Sequence, residues 1–224
     1  MYENPYKLPL YVFATLKEFR GFFPDSDVAK KDFVSPGEVF ELPENHGFGC
    51  ILEIGILHYS IGLLNILKFC RSQKLDFGYV VVVGICGAFP GRGLHIGDVV
   101  RIDSDIEGDL GYQEKDGSFE RFSCYGYEQA SSVESAPAVI QNLKSVKGIT
   151  VNCCTGTAAL AARRIDLYDA DVESMEGVAG IAVCNSFGVK VYQVRAVSNM
   201  ATDRDRDSWK IDEALEALRK TLLG

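Results

Sequence analysis

Short apolar runs alternate along this chain with longer stretches of helical periodicity, and that alternation restricts it to β-α units feeding one central sheet. The sharpest run is Tyr79-Val-Val-Val-Val83, whose β-branched residues without polar interruption fit a strand covered on both faces. Ahead of it, Leu10 to Ala14 and Cys50 to Ile54 read as strands, Leu16 to Phe22 and Tyr59 to Phe69 as helices. Beyond it, Asp98 to Ile102, Ile149 to Cys154 and Lys190 to Ser198 read as strands. Ala158 to Leu167, Glu176 to Phe187 and Ile211 to Leu222 read as helices, and Gly188 is well placed to stop the second of these. The polar, glycine-dotted segment Asp103 to Gln129 is expected as loops and ribbon over one edge. No repeat, linker or low-complexity tract divides the 224 residues, of which 47% are hydrophobic. The expectation is a single domain, residues 1–224.

A formal net charge of -8 and a pI near 5.0 argue against nucleic acid and against an anionic membrane surface as partners, since both call for a basic face. No apolar stretch is long enough to span a bilayer, and Met1 to Lys7 lacks the layout of a secretory signal. The cysteines are seven, an odd number without a C-x-x-C pair, and they read as buried free thiols of a reducing cytoplasm. His46, His58 and His95 are scattered without metal-ligand spacing, so no metal is expected.

In open α/β sheets ligands lie beyond the carboxyl ends of the strands. That rule directs attention to Thr15 to Glu18, Gly84 to Gly93, Ser174 to Gly177 and Ser198 to Asp207. The glycine-rich Gly84-Ile-Cys-Gly-Ala-Phe-Pro-Gly-Arg-Gly93 matches neither a phosphate loop nor a dinucleotide fingerprint, so ATP and NAD are not indicated. No G-x-S-x-G elbow occurs, and Cys86 as a nucleophile would need a histidine partner that the sequence does not place.

Three segments in order, Gly84 to Val100, Val172-Glu-Ser-Met-Glu-Gly177 and Val194-Arg-Ala-Val-Ser-Asn199, resemble the landmarks of the nucleoside phosphorylase/nucleosidase superfamily. Within it, the Asp109-Leu-Gly111 turn and the tail Arg195 to Ile211 resemble the futalosine hydrolase family of menaquinone biosynthesis, with the methylthioadenosine/S-adenosylhomocysteine nucleosidases nearby. The resemblance implies a three-layer α/β/α fold with a mixed, mostly parallel twisted sheet. It also implies a nucleosidase that needs no metal or organic cofactor, acts on a small purine nucleoside and forms a homodimer.

The resemblance also assigns roles. Glu18 falls where the family keeps the carboxylate that activates water; taken alone it is a first-turn glutamate favoured by the helix dipole. Glu176 would hold the ribose hydroxyls and Met175 would pack on the sugar; taken alone these are a helix-start acid and core packing. Asn199 stands where adenine-specific relatives carry aspartate, and an amide suits a 6-oxopurine such as hypoxanthine better than a 6-aminopurine. Gly87 and Phe89 are candidates for the base pocket. Arg204 is either paired with its acidic neighbours or free to hold a carboxylate on the 5′ side of the substrate. Val82 and Ile85 occupy the positions where bacterial phosphorylases place groups for phosphate, so water is the expected acceptor. Leu57, in Gly55-Ile-Leu-His58, replaces a family glycine and is expected to reshape the pocket wall; His58 reads as a helix-start or core residue.

Overall fold

The computed structural model describes residues 8–122 and 128–224. The reading of Met1 to Lys7 and the burial expected of Cys124 fall outside the described residues. In chain order the strands are β1 (Pro9–Phe13), β2 (Val39–Glu41), β3 (Phe48–Ile51), β4 (Tyr79–Ala88), β5 (Val99–Glu107), β6 (Gly111–Gln113), β7 (Phe119–Arg121), β8 (Glu128–Gln129), β9 (Lys144–Thr150), β10 (Val172–Ser174) and β11 (Val191–Met200). The helices are α1 (Leu16–Phe22), α2 (Ile56–Ser72), α3 (Ala138–Gln141), α4 (Ala158–Tyr168), α5 (Gly177–Phe187) and α6 (Ile211–Leu223).

The main sheet runs β10-β9-β5-β11-β4-β1-β3-β2, with β8 on β5 and a second pairing of β10 with β4. Its pairings are mixed. The β1–β3, β1–β4, β4–β11, β5–β9 and β9–β10 pairs are parallel, whereas β2–β3, β5–β11, β5–β8 and β4–β10 are antiparallel. The β10–β4 pairing matters for function because Glu173 lies opposite Gly87 and the chain enters α5 from there.

The valine run divides its side chains by the two-residue period of a strand. Val81 and Val83 join Tyr11, Phe13, Phe19 and Phe22, under α1 and α6, on one face. Val80 and Val82 join Leu10 and Val12 on the other, under Tyr59 and Leu63 of α2 and Ile181 of α5. All four valines are at most 1% exposed, as a strand covered on both sides requires.

Several boundaries moved. β4 runs past the expected end at Val83 to Ala88, because Gly84 to Cys86 pair with β11 and Gly87 and Ala88 pair with both β11 and β10. A glycine-rich segment with two hydrogen-bonding neighbours stays extended where local propensity alone suggests a turn. β9 ends at Thr150 instead of starting near it, and the alternating Lys144-Ser-Val-Lys-Gly-Ile-Thr150 is a half-buried strand. β10, hidden in the Glu-Ser-Met-Glu segment, is only three residues long. The β6–β7 pairing supplies the expected ribbon, and Gly188 closes α5 in the left-handed region at φ 66°. Cys50, Cys70, Cys86 and Cys184 are buried free thiols, but Cys153 is exposed and Cys154 only partly covered. No helix among the described residues is long and apolar enough to cross a membrane.

Candidate active site

α1 opens with a capping box that delivers a carboxylate to the carboxyl end of β1. Thr15 Oγ1 accepts from Glu18 N at 3.1 Å, while Glu18 Oε2 accepts from Thr15 N and Thr15 Oγ1 at 3.0 Å each. Unlike an ordinary capping glutamate, Glu18 is only 6% exposed. Its Oε1 accepts from Ile85 N on β4 at 3.2 Å. A carboxylate offers about four acceptor positions. Three donors therefore leave it one direction open.

Facing Glu18 is Arg195 of β11, 1% exposed, in the middle of an apolar strand. Its Nη1 lies 3.4 Å from Glu176 Oε2 and 3.5 Å from the Ile85 carbonyl oxygen. Gly84 makes room for this meeting: a Cβ there would come 2.5 Å from Glu18 Oε1 and 2.6 Å from Arg195 Nη1. Glu176 thus pairs with a buried guanidinium and Glu18 lies close by; burial opposes the positive charge and the two acids favour it. Burial pushes the Glu176 carboxyl up; Arg195 opposes the shift and Glu18 adds to it. Glu176 Oε1 is also 3.5 Å from the donor Gly55 N at the start of α2.

Asn199 lies across the cavity at a bulge where the β11–β4 register slips between Val197 and Asn199. A bulge re-aims a side chain. Asn199 Oδ1 accepts from Ser198 Oγ at 2.8 Å, and Nδ2 donates to the Met200 carbonyl at 3.2 Å. Each group of the amide keeps one unused direction, a second N–H and a second lone pair. Gly87 sits beneath it, and a Cβ there would be 3.2 Å from Asn199 Nδ2.

Glu18, Gly87, Met175, Glu176, Asn199 and Arg204 all line one cavity of about 360 Å³. Phe89 does not. It is fully buried among Ile106, Ile149, Tyr168 and Ala201, because the extension of β4 to Ala88 carries the chain past the cavity before this ring. Leu57 and His58 are exposed on α2 and are not part of the wall, where Ile54 stands instead. Val82 is core, whereas Ile85 is on the cavity wall.

Arg204 forms no ion pair among the described residues; its guanidinium lies 5.2 Å from the centroid of the Trp209 ring, and both residues line the mouth with Lys17. Glu173 is held by Thr155 N at 2.8 Å, Thr155 Oγ1 at 2.6 Å and Arg164 Nη1 at 2.9 Å, which makes it a wall element with its acceptors committed. Arg195 and Trp209 were not singled out from the sequence. An arginine inside Val191-Tyr-Gln-Val-Arg-Ala-Val197 was a usable signal, since a charge in a central strand must find a partner. The described residues contain no cluster able to hold a metal ion.

A model of the phosphorylase superfamily matches residues 50–222. Among curated proteins, the futalosine hydrolase of Thermus thermophilus is 30% identical over 152 residues, which are 63% of this chain and 66% of that protein. That of Streptomyces coelicolor is 34% identical over 148 residues, 63% of this chain and 62% of that protein. The matched stretch thus spans a little under two thirds of the length of these relatives. Among solved structures, futalosine hydrolase of Helicobacter pylori superposes with a TM-score of 0.72 at 15% identity, over 99% of this chain and 97% of that one. A putative 5′-methylthioadenosine/S-adenosylhomocysteine nucleosidase from Francisella philomiragia gives 0.73 at 15% identity, over 97% of each. At such identity the likeness is one of fold.

Proposed function

The chain belongs to the phosphorylase superfamily, and from that premise we propose that it hydrolyses the N-glycosidic bond of futalosine, releasing hypoxanthine and dehypoxanthinyl futalosine. The observation that carries the proposal is the convergence of Glu18, Glu176 and Asn199, far apart in sequence, on one cavity. In this reading residues 1–224 are one nucleosidase domain of three-layer α/β/α form, cytoplasmic and homodimeric.

Cleavage passes through a sugar with oxocarbenium character, so the protein must stabilise positive charge and deliver water. Glu18, with its one open acceptor direction, takes a proton from water as the water oxygen bonds to C1′ and the bond from C1′ to the purine breaks. Glu176 accepts from the ribose hydroxyls and Met175 packs on the sugar. Arg195 pairs with Glu176 and opposes the rise that burial gives its carboxyl. The second N–H of Asn199 donates to O6 of the base, and its free lone pair accepts from N7 once solvent has protonated it, so that the purine leaves neutral. An aspartate in that place would instead accept from a 6-amino group, so an adenine-releasing nucleosidase is the second reading. Water is the acceptor because the glycine-rich end of β4 offers Ile85, and no charged group, to a phosphate.

The deciding experiment is base release from futalosine, aminodeoxyfutalosine, methylthioadenosine and inosine, each with and without phosphate. Futalosine should turn over fastest and without phosphate; preferential release of adenine, or a requirement for phosphate, would overturn the proposal.

Arg204, unpaired and braced on Trp209, is assigned the carboxylate at the far end of the substrate. Arg204→Ala should raise KM for futalosine about ten-fold, the scale of one charge-assisted hydrogen bond. The KM for inosine, which has no such group, should stay unchanged. Equal effects on the two substrates would remove Arg204 from this role.

A further inference from the structure

Beneath the first turn of α5 lies a polar cluster that the chemistry above does not use. Asp105 of β5 is fully buried. Its Oδ1 accepts from Thr150 Oγ1 and its Oδ2 from Gln193 Nε2, each at 3.0 Å. Thr150 Oγ1 accepts in turn from Val178 N at 2.8 Å, so one hydroxyl links the acid to the opening amides of α5. Gly177 rests directly on the cluster, and a Cβ there would run into both Asp105 Oδ2 and the Gln193 amide. The glycine of the Met-Glu-Gly segment is thereby explained by close approach, not by an unusual φ.

One arm of the cluster ends next to Glu176 and the other on the strand that carries Arg195. Val178 is two residues beyond Glu176, the residue that begins α5 without a capping hydrogen bond of its own side chain. Gln193 precedes Arg195 by two residues on β11, and alternation puts their side chains on the same face of the strand. An apolar residue in place of Asp105 would spare the molecule a buried charge. The acid touches the supports of Glu176, which lines the cavity, and of Arg195, which pairs with Glu176.

We propose that Asp105 is a positioning residue: through Thr150 it sets the first turn of α5 and hence Glu176, and through Gln193 it sets the stretch of β11 that carries Arg195. This rests on the role proposed above for Glu176. Burial pushes the Asp105 carboxyl up to about 6, against the hydrogen bonds from Gln193 and Thr150 and the charge of Arg195. Of the groups packed against it, Gly148 and Thr150 on β9, Gln193 on β11 and Gly177 on α5 are uncharged, Arg195 is the cation, and Glu128, opposite it on β8, is partly exposed. Gln193 Oε1 has no partner. Below a pH of about 6 the neutral acid donates to that oxygen once the amide has turned, and the negative charge near Arg195 is lost.

The test compares Thr150→Val, Thr150→Ser and Asp105→Asn with the unaltered protein by kcat, KM, pH profile and melting. Thr150→Val should raise KM for the nucleoside about five-fold, the scale of one lost hydrogen bond, and Thr150→Ser should restore it. Asp105→Asn should abolish an inflection near pH 6 in the acid limb. Lowered melting with unchanged KM and an unchanged profile would make the cluster merely structural and overturn the proposal. If the unaltered protein cleaves no purine nucleoside, the functional reading fails by itself, and the cluster is judged by NMR. The Arg195 Nε–H and Glu176 carboxyl signals should then move in both Thr150→Val and Asp105→Asn; signals that stay in place would overturn it.

Discussion

Glu18→Gln is expected to slow release of the purine by about 10²–10⁴-fold, the range that a positioned general base contributes, while leaving nucleoside affinity nearly unchanged. The substitution is well suited to separate chemistry from folding. Glutamine is accepted in a capping box, so the start of α1 survives. What is lost is the ability to take a proton from the water that approaches the open side of the carboxylate, together with the acceptor for Ile85 N. Measurement of released base under saturating substrate, with affinity followed by calorimetry, distinguishes the two effects. A variant that retains more than about a tenth of the original kcat would show that Glu18 is only the cap that its hydrogen bonds to Thr15 already make it.

Arg195→Met is expected to destabilise the fold by about 3–5 kcal/mol, because it breaks a buried ion pair and leaves the Glu176 carboxylate without its partner. Arg195 is 1% exposed, and Glu176 and Glu18 are only 5% and 6% exposed, so solvent cannot take over its role. For a chain of this size the loss corresponds to a fall in Tm of roughly 6–20 °C. Methionine keeps the volume of the unbranched stem of the side chain and limits the cavity contribution. Glu176 then loses its counter-ion and holds its proton to higher pH, which lowers activity at neutral pH as well. Nε and Nη2 of Arg195 already lack partners in the buried site, so the pairing with Glu176 is what justifies the charge there. A Tm within about 2 °C of the original would sink this account of the acid pair.

The methionine variant also separates two explanations of the raised Glu176 carboxyl. Burial is its largest cause and Arg195 opposes it, so removing the arginine should raise it further. A carboxylate that ionises more readily after the substitution would contradict that assignment.

Much of the architecture was written locally. The run Tyr79 to Val83 demanded cover on both faces, and Glu18 read as a glutamate in the first turn of a helix from Leu16. α1 and the closing helix fell within one residue of the expected bounds, because hydrophobic periodicity over two or more turns is a redundant signal. Short strands carry no such redundancy. β10 has three residues, and the end of β4 is set by partners contributed from β10 and β11, more than 80 residues downstream.

The site shows the same division. Motifs in one dimension named Glu18, Glu176 and Asn199, since each belongs to a recognisable local segment. They also suggested Phe89, and there they failed: a phenylalanine after a glycine turn reads alike whether it faces a ligand or a core. Arg195 and Trp209 were missed for the converse reason. What gives them meaning is a neighbour distant in sequence, Glu176 for one and the mouth of the cavity for the other. Residue type and order determined which elements form and which acids the chain has to offer. Only the folded sheet, by fixing which strand lies beside which and where the bulge at Asn199 falls, decided that Glu176 meets Arg195 with Glu18 close by. The reason is physical: a contact between residues far apart in sequence is enforced by register and packing, and neither is encoded in any single segment.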